Sequence, residues 1–549
     1  MKPKQKNDFK VLIVYPNLAM MLVPSIAIAL FTRIFKQEGY HIDLFDTTHY
    51  VSEENSSPRN RVKYLQARNF SEKDDLKVKI KTDLLGDFRK KVMEFKPDLM
   101  IFSVVEDAFL QALKMLQAVA DMDIPHLMGG IFPTAAPDLC MSFPDIKMIG
   151  LGDGEKIVVD VAEAVRLGKS LSNIYGTYYK DINGEIHKNK QGGLVNIDNI
   201  CPDFSLFEEA RFYRPMGGRI FKTIPVETYR GCPYNCTYCN SPMQKEFAKR
   251  HGLGSFLRRK SLFSLEHELR KLIDLYRPEF FYFIDDSFLA RPQQETDEFC
   301  TMYKKFGLPF WFNTRPENCT ADNLEKLKEI GCYRISFGIE CGNEEYRIKV
   351  LKRNISNSSL IEKFKIIAES GIPFSINLII GFPGETRELI MDTVEFVRSV
   401  YGYDTLTVSM FTPYHGTALR EVAIKNGWLD SLSITKHTTS RSMLKMPHPY
   451  VDADELDGLM RVIPLYCYFP KNEWENIRRA ETDDPEGNEA FNYYANIYKD
   501  KFLKQTQDEK KSIEIDGPGG CRANPKDSFK ITPSRLSEEE IKILTIKGA

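Results

Sequence analysis

The sequence predicts an α/β chain: an N-terminal doubly wound, flavodoxin-like unit, then a partial (β/α)6 barrel, then a mainly helical C-terminal region. Three observations carry that expectation. The 549 residues exceed a single hydrophobic core and suggest about three or four domains. Residues 10–165 alternate short apolar runs with longer helical patterns. From Ile224 to about Pro413 a strand-and-helix unit repeats six times. Composition agrees, with 42% apolar and 28% charged residues, as expected of a globular protein. With 75 basic against 76 acidic side chains, a nucleic-acid backbone is not an expected partner.

In the N-terminal unit, residues 8–165, strands are expected at Lys10–Tyr15, Ile42–Phe45, Leu99–Val104, Pro125–Met128 and Lys147–Ile149. A flavodoxin-like order places ligands outside the carboxyl ends, near the first and third strands. The loops there are "PNLAMMLVPS", "SVVEDA" from Ser103, and "GGIFPT" from Gly129, whose paired glycines let a ligand approach the backbone. Met20, Met21 and Leu22 read equally well as the start of a buried helix. The charged stretch 51–96 reads as a solvated face. "MIGLGDGEKIVVDVAEAV" reads as strand, turn and helix, with glycine spacing that fits neither a Walker loop nor a full dinucleotide fingerprint. Residues 166–223 connect the units and hold a hairpin signal at Asn183-Gly184.

For the barrel, residues 224–425, strands are expected near Pro225–Thr228, Phe280–Ile284, Pro309–Phe312, Arg334–Phe337, Phe374–Ile380 and Leu406–Phe411. Between them, helices carry apolar positions three and four apart, as in Leu265, Leu269, Leu272 and Tyr276. Ser359 with Glu362 suggests a capping box; Gly331 and Gly371 stand where helices end. Chemistry in such barrels gathers at the carboxyl ends of strands. There fall Cys232, Cys236 and Cys239; Asp285 and Asp286; Arg315; Glu340; Gly381 with Glu385; and Tyr414 with His415. Individually each has a structural explanation, such as a cap at Asp285 or packing at His415, but together they converge on one mouth. In residues 426–505, "RVIPLYCYFPKNEW" with Cys467 reads as a buried helix or lid. The charged tail, 506–549, shows a "DGPGG" break and a short helix at Ser537–Leu544, and is expected to be loosely held.

The stretch "RGCPYNCTYCN" sets three cysteines within eight positions. Structural zinc would want a fourth ligand, for which His251 is the nearest candidate, and a bacterial ferredoxin would want a further Cys-Pro. A disulfide would leave one thiol over, and the scatter of the remaining cysteines among eleven points to a reducing cytoplasm. Three thiolates on a short loop can instead hold three irons of a cubane and leave the fourth iron open.

"CPYNCTYC" after a barrel strand resembles the radical S-adenosylmethionine (SAM) enzymes. "FFYFIDDSF", "RISFGIECG", "NLIIGFPGET" and "MFTPYHGTAL" resemble the strand-end motifs of the subgroup with an N-terminal cobalamin-binding domain. "LMIFSVVEDAF", "LMGGIFPT" and "IGLGDGE" resemble segments of that domain. The resemblance implies a 4Fe-4S cluster on Cys232, Cys236 and Cys239, with SAM chelating the unique iron. It puts Tyr238 near the SAM adenine, Asp285 or Asp286 near its amino group, Glu340 near its ribose and Gly381 near its adenine or methionine portion. Ser103, Gly129 and Gly130 would line the nucleotide tail of cobalamin, with the loop from Asn17 to Pro24 facing the corrin. The D-x-H-x-x-G signature of other cobalamin folds is absent after the first strand, His41 and His49 standing elsewhere. The implied activity is an oxygen-sensitive C-methyltransferase that functionalises an unactivated carbon. Oxidative cyclisation or rearrangement, and a non-catalytic corrinoid or iron-sulfur carrier, are the alternatives. Methylthiotransferases fit less well, since the first 200 residues contain only Cys140. A small or lipid-linked substrate and an external flavodoxin or ferredoxin donor are implied. The catalytic residue is not indicated. The Lys-rich start runs into "KVLIVYP" without a cleavage site, and the uncharged run Pro16–Thr32 contains Pro24, so a cytoplasmic chain without signal peptide or membrane span is expected.

Overall fold

The computed structural model describes residues 3–52, 57–71, 73–76, 78–503 and 534–545. Its first sheet holds β1 (Lys10–Tyr15), β2 (His41–Asp46), β3 (Leu99–Ser103), β4 (His126–Gly129), β5 (Met148–Gly150), β6 (Thr177–Lys180) and β7 (Ile186–Lys188) in the order 2-1-3-4-5-6-7. The first five are parallel and adopt the expected flavodoxin-like order. Their continuous apolar runs, such as Val11 to Val14, are buried on both faces, as a parallel sheet under two helical layers requires. The hairpin signalled by Asn183-Gly184 forms, and β6 pairs antiparallel with β5, so this part of the connecting segment extends the first sheet.

The second sheet contains β8 (Tyr213–Met216), β9 (Arg219–Val226), β12 (Phe280–Phe283), β13 (Phe310–Thr314), β14 (Cys332–Glu340), β15 (Phe374–Ile380) and β16 (Thr405–Met410). A small ribbon of β10 (Tyr229–Arg230) and β11 (Arg258–Arg259) stands beside it. From β9 to β16 the six strands run parallel in chain order, while β8 turns back antiparallel on β9 at the edge. The result is the expected open barrel. Phe281, Phe283, Phe310 and Phe312 are buried against the outer helices, each worth roughly 1.5–3 kcal/mol of transfer free energy.

Several local expectations change. The helix Asn357–Ser370 is capped by Ser356, whose side chain accepts from the Ser359 amide, so the cap lies three residues before the expected box. Met20, Met21 and Leu22 lie in a loop, Met20 with φ 61°, and the helix begins only at Ile26. The stretch 51–96 is not merely a solvated face, because Leu65 and Gln66 are buried and Arg61 donates to the Val408 carbonyl on β16. Cys467 closes the buried helix Ala453–Tyr468, whose last carbonyls are capped by Arg398 reaching Tyr466 at 2.9 Å. The helix Glu538–Leu544 forms with a Ser537/Glu540 capping box and docks, Leu544 buried; the "DGPGG" break lies outside the described residues. No helix among the described residues is long and apolar enough to cross a membrane.

Candidate active site

The approach to the cysteine loop is fixed by one carboxylate. Asp285, just past β12, accepts from the amides of Thr228 (2.7 Å) and Tyr229 (3.0 Å), from the Thr228 hydroxyl, and from Arg291 (2.7 Å). Its acceptor capacity is spent on the protein. The adjacent Asp286 has only a 3.4 Å contact from Ser241 and lies close enough to Cys232 and Cys239 to act on both thiols. Gly231, φ 101°, admits the turn into Cys232 because a Cβ there would meet the Phe256 carbonyl at 2.8 Å. Arg230 then ties the loop to the first sheet, reaching Glu155 at 2.8 Å and Asp153 at 3.3 Å beyond β5, as well as Glu227 at 3.0 Å.

The three sulfurs suit a cluster better than one ion. Sulfurs around a single zinc lie within roughly 4 Å of one another, yet the only trio of ligand atoms within 4.8 Å among the described residues is Asp181, Glu185 and His187 on the hairpin. Burial pushes the Cys232 and Cys239 thiols up to about 11 and about 12, so their thiolates call for the positive charge that metal brings. Arg315 donates to Cys236 Sγ at 2.5 Å and lies 3.5 Å over the Tyr234 ring, while the Ser241 amide donates to Cys239 Sγ at 3.5 Å. Arg315 was legible as a strand-end residue; its role at the sulfur was not.

Beside the loop, Tyr238 sits edge-on to Phe382 at 5.9 Å and close to Glu340, which takes Arg353 at 3.4 Å. Glu340 has φ 69°, a strained setting for a residue with a side chain. Burial pushes its carboxyl up, against the pull of Arg353 and Arg315. Glu385 accepts from the amides of Gly381 (2.6 Å) and Phe382 (3.1 Å), bracing that turn. Gly381 itself is a packing position, since a Cβ would meet Leu456 at 2.9 Å and Met410 at 3.0 Å.

A cavity of about 1580 Å³ runs from this mouth to the carboxyl edge of the first sheet. Tyr238, Cys239 and Glu340 line one end, and Asn17, Met20 to Pro24, Ser103, Gly129 and Gly130 the other. It exceeds the roughly 300–1,000 Å³ of ordinary small-molecule pockets, and no histidine among the described residues lines it. Gly129 has nothing nearer its missing Cβ than the Gly150 carbonyl at 3.8 Å, whereas a Cβ on Gly130 would strike the Val104 carbonyl at 2.3 Å. His415 does not line the cavity: it is buried, its Nδ1 2.6 Å from Glu106, packed on Phe132, and joins barrel to first sheet.

Residues 226–397, which include the cysteine loop and the turn braced by Glu385, match the radical SAM superfamily. The chain carries a radical SAM domain. Such a domain implies a 4Fe-4S cluster and S-adenosylmethionine, and the thiol trio fits the cluster. It is 28% identical over 397 residues to an uncharacterized methyltransferase of Pyrococcus horikoshii, covering 70% of this chain and 81% of that one. Its fold matches the radical SAM methyltransferase TsrM from Kitasatospora setae, with TM-score 0.55, 16% identity and 76% of each chain covered. It also matches the cobalamin-dependent SAM radical enzyme OxsB, with TM-score 0.61, 14% identity, and 91% and 72% covered.

Proposed function

We propose that this radical SAM enzyme is a cobalamin-dependent C-methyltransferase acting on an unactivated carbon of a small or lipid-linked substrate, with an external flavodoxin or ferredoxin as electron donor. The observation that carries the reading is the single cavity shared by the thiol loop and the carboxyl edge of the first sheet, large enough for more than one ligand. Its first-sheet end suits cobalamin in having a backbone wall at Gly129 that a ligand can approach, and no histidine among the described residues lines it.

In this reading Cys232, Cys236 and Cys239 hold the cluster, and Ser103, Gly129, Gly130 and the loop from Asn17 to Pro24 hold cobalamin. The cluster held by these cysteines would supply the electron for reductive cleavage of SAM, and cobalamin would supply the methyl group. The chain's own work is placement. Arg315 steadies the Cys236 sulfur, Asp285 fixes the loop's approach, and Asp286, free of Asp285's obligations, faces the thiols where an ammonium group would be welcome. Tyr238 and Glu340 offer an aromatic face and an acceptor to the nucleoside.

Anaerobically reconstituted protein with reductant and SAM should yield 5′-deoxyadenosine and, with substrate, a product heavier by one methyl group. Alanine at any of the three cysteines should abolish both. Absence of 5′-deoxyadenosine from cluster-loaded protein would sink the proposal. Oxidative cyclisation or rearrangement without methyl transfer is the second reading. A product without the added methyl group would select it.

A further inference from the structure

The cavity's acidic groups are mostly spoken for. Asp153 and Glu155 face Arg230, Asp153 also faces Arg258, Asp404 holds Arg334 through both oxygens, and Glu340 faces Arg353. Among the described residues, neither Arg61 nor Arg214 on this wall faces a carboxylate. Arg61 donates only to neutral acceptors, the Gln66 amide, the Val408 carbonyl and the Ser409 hydroxyl. Arg214, on β8, has its Nη1 shut away from solvent with no hydrogen-bond partner among the described residues. Its guanidinium carbon lies 4.8 Å from the Trp311 ring and 5.1 Å from the Tyr282 ring, and those rings stack on each other at 4.1 Å. Cation–π contact offsets part of its desolvation, yet burial still pulls the Arg214 pKa down, as befits a buried cation without a counter-charge.

We infer that Arg214 is the anchor for an oxyanion on the substrate, a carboxylate, phosphate or phosphonate, beside an aromatic wall made by Trp311 and Tyr282. A guanidinium matches such a group bidentately through charge-assisted bonds, and Arg214 lines the cavity. The anchor is set apart from the thiols. Trp311 precedes Arg315, the residue at Cys236, by four positions, and Tyr282 precedes Asp285 by three, which along a strand is roughly 10–13 Å. A carboxylate of SAM held at the cluster would therefore lie elsewhere. This inference rests on the proposed methyl-transfer reading and names its substrate class.

The test is calorimetric titration of the full, cluster-loaded chain with phenylphosphonate, benzoate, and the neutral dimethyl ester of phenylphosphonate. The acids should bind and the ester should not. Arg214→Met should weaken acid binding at least about tenfold, with Arg214→Lys intermediate because it keeps the charge and loses the fork. Iron content and unfolding midpoint serve as folding controls for both variants. Equal binding of acid and ester, or acid binding unchanged in folded Arg214→Met, overturns the inference. So does competitive displacement of the acids by SAM, which would make Arg214 a SAM ligand. Relative affinity for the phosphonate and the carboxylate tells which oxyanion the site prefers. No turnover is needed, so a failure of SAM cleavage would strike the proposed function and leave this measurement standing.

Discussion

The barrel wall of the cavity is built from committed side chains, whereas the wall made by the first sheet is largely backbone and apolar surface. At the barrel mouth, Asp285, Arg315, Arg353 and Glu385 each fix another group, and the chemistry depends on which of them retains spare bonding capacity. At the first sheet, room is made by glycine and by a loop that carries Met20 at positive φ. On the proposed reading, one wall selects by charge and hydrogen bonding and the other by shape. Substitutions should therefore act differently on the two walls, and that contrast can be broken experimentally.

The largest effect is expected at the aspartate pair. Asp285→Ala leaves Arg291 buried without its partner and removes the bracket on the Thr228 and Tyr229 amides, a loss of about 3–5 kcal/mol for breaking a buried pair. Asp286→Asn should change stability by less than about 1 kcal/mol while weakening SAM binding. Denaturant unfolding and SAM titration, run on both variants, separate the roles. Equal stability losses would show that the two neighbours do not divide the work as described.

A smaller effect is expected from Glu385, whose carboxyl, ordinarily at 4.5, is pushed up to about 8 by burial against the downward pull of the Phe382 and Gly381 amides. Because the folded chain then holds this proton more tightly than the unfolded one, the associated stability is whole below 4.5 and drains away as pH rises towards about 8. Glu385→Gln keeps an acceptor for the two amides and cannot ionise. The wild-type unfolding midpoint should therefore fall relative to the variant across that window. Parallel pH profiles would refute the burial of this carboxylate as the cause.

Much of this architecture was readable in the sequence because it is local. The strand runs of both sheets, the cysteine spacing and the strand-end positions of Glu340 and Arg315 depend on patterns a few residues long. What escaped depends on distant partners. Nothing in "RFYRPMGG" signals that Arg214 would lean on Trp311, because that contact follows from β8 folding back on β9. Asp285 and Asp286 are the same residue type side by side, and only the tertiary position of Thr228 and Arg291 decides which of them is consumed. The C-terminal helix read as a charged, loosely held piece, yet Leu544 packs where a Cβ on Gly384 would come within 2.5 Å of it. Gly381 was legible as special, and a Cβ there would crowd Leu456 and Met410.

The finest contrast lies between two neighbouring glycines of the first-sheet wall. Gly130 has φ 123° and a backbone carbonyl, that of Val104, where its Cβ would go, so Gly130→Ala should cost about 1–3 kcal/mol or more from backbone strain alone. Gly129 has ordinary backbone, and its Cβ would meet only the Gly150 carbonyl at an ordinary 3.8 Å, so Gly129→Ala should leave stability within about 1 kcal/mol. Because Gly129 lines the cavity, Gly129→Leu should fold with normal iron content and still fail to take up cobalamin, as read from the corrinoid absorbance of reconstituted protein. Shape selection predicts that divergence between an intact fold and a lost ligand. Unchanged cobalamin uptake by Gly129→Leu would mean that the corrinoid is not seated against this wall, and the backbone opening there would then need another occupant.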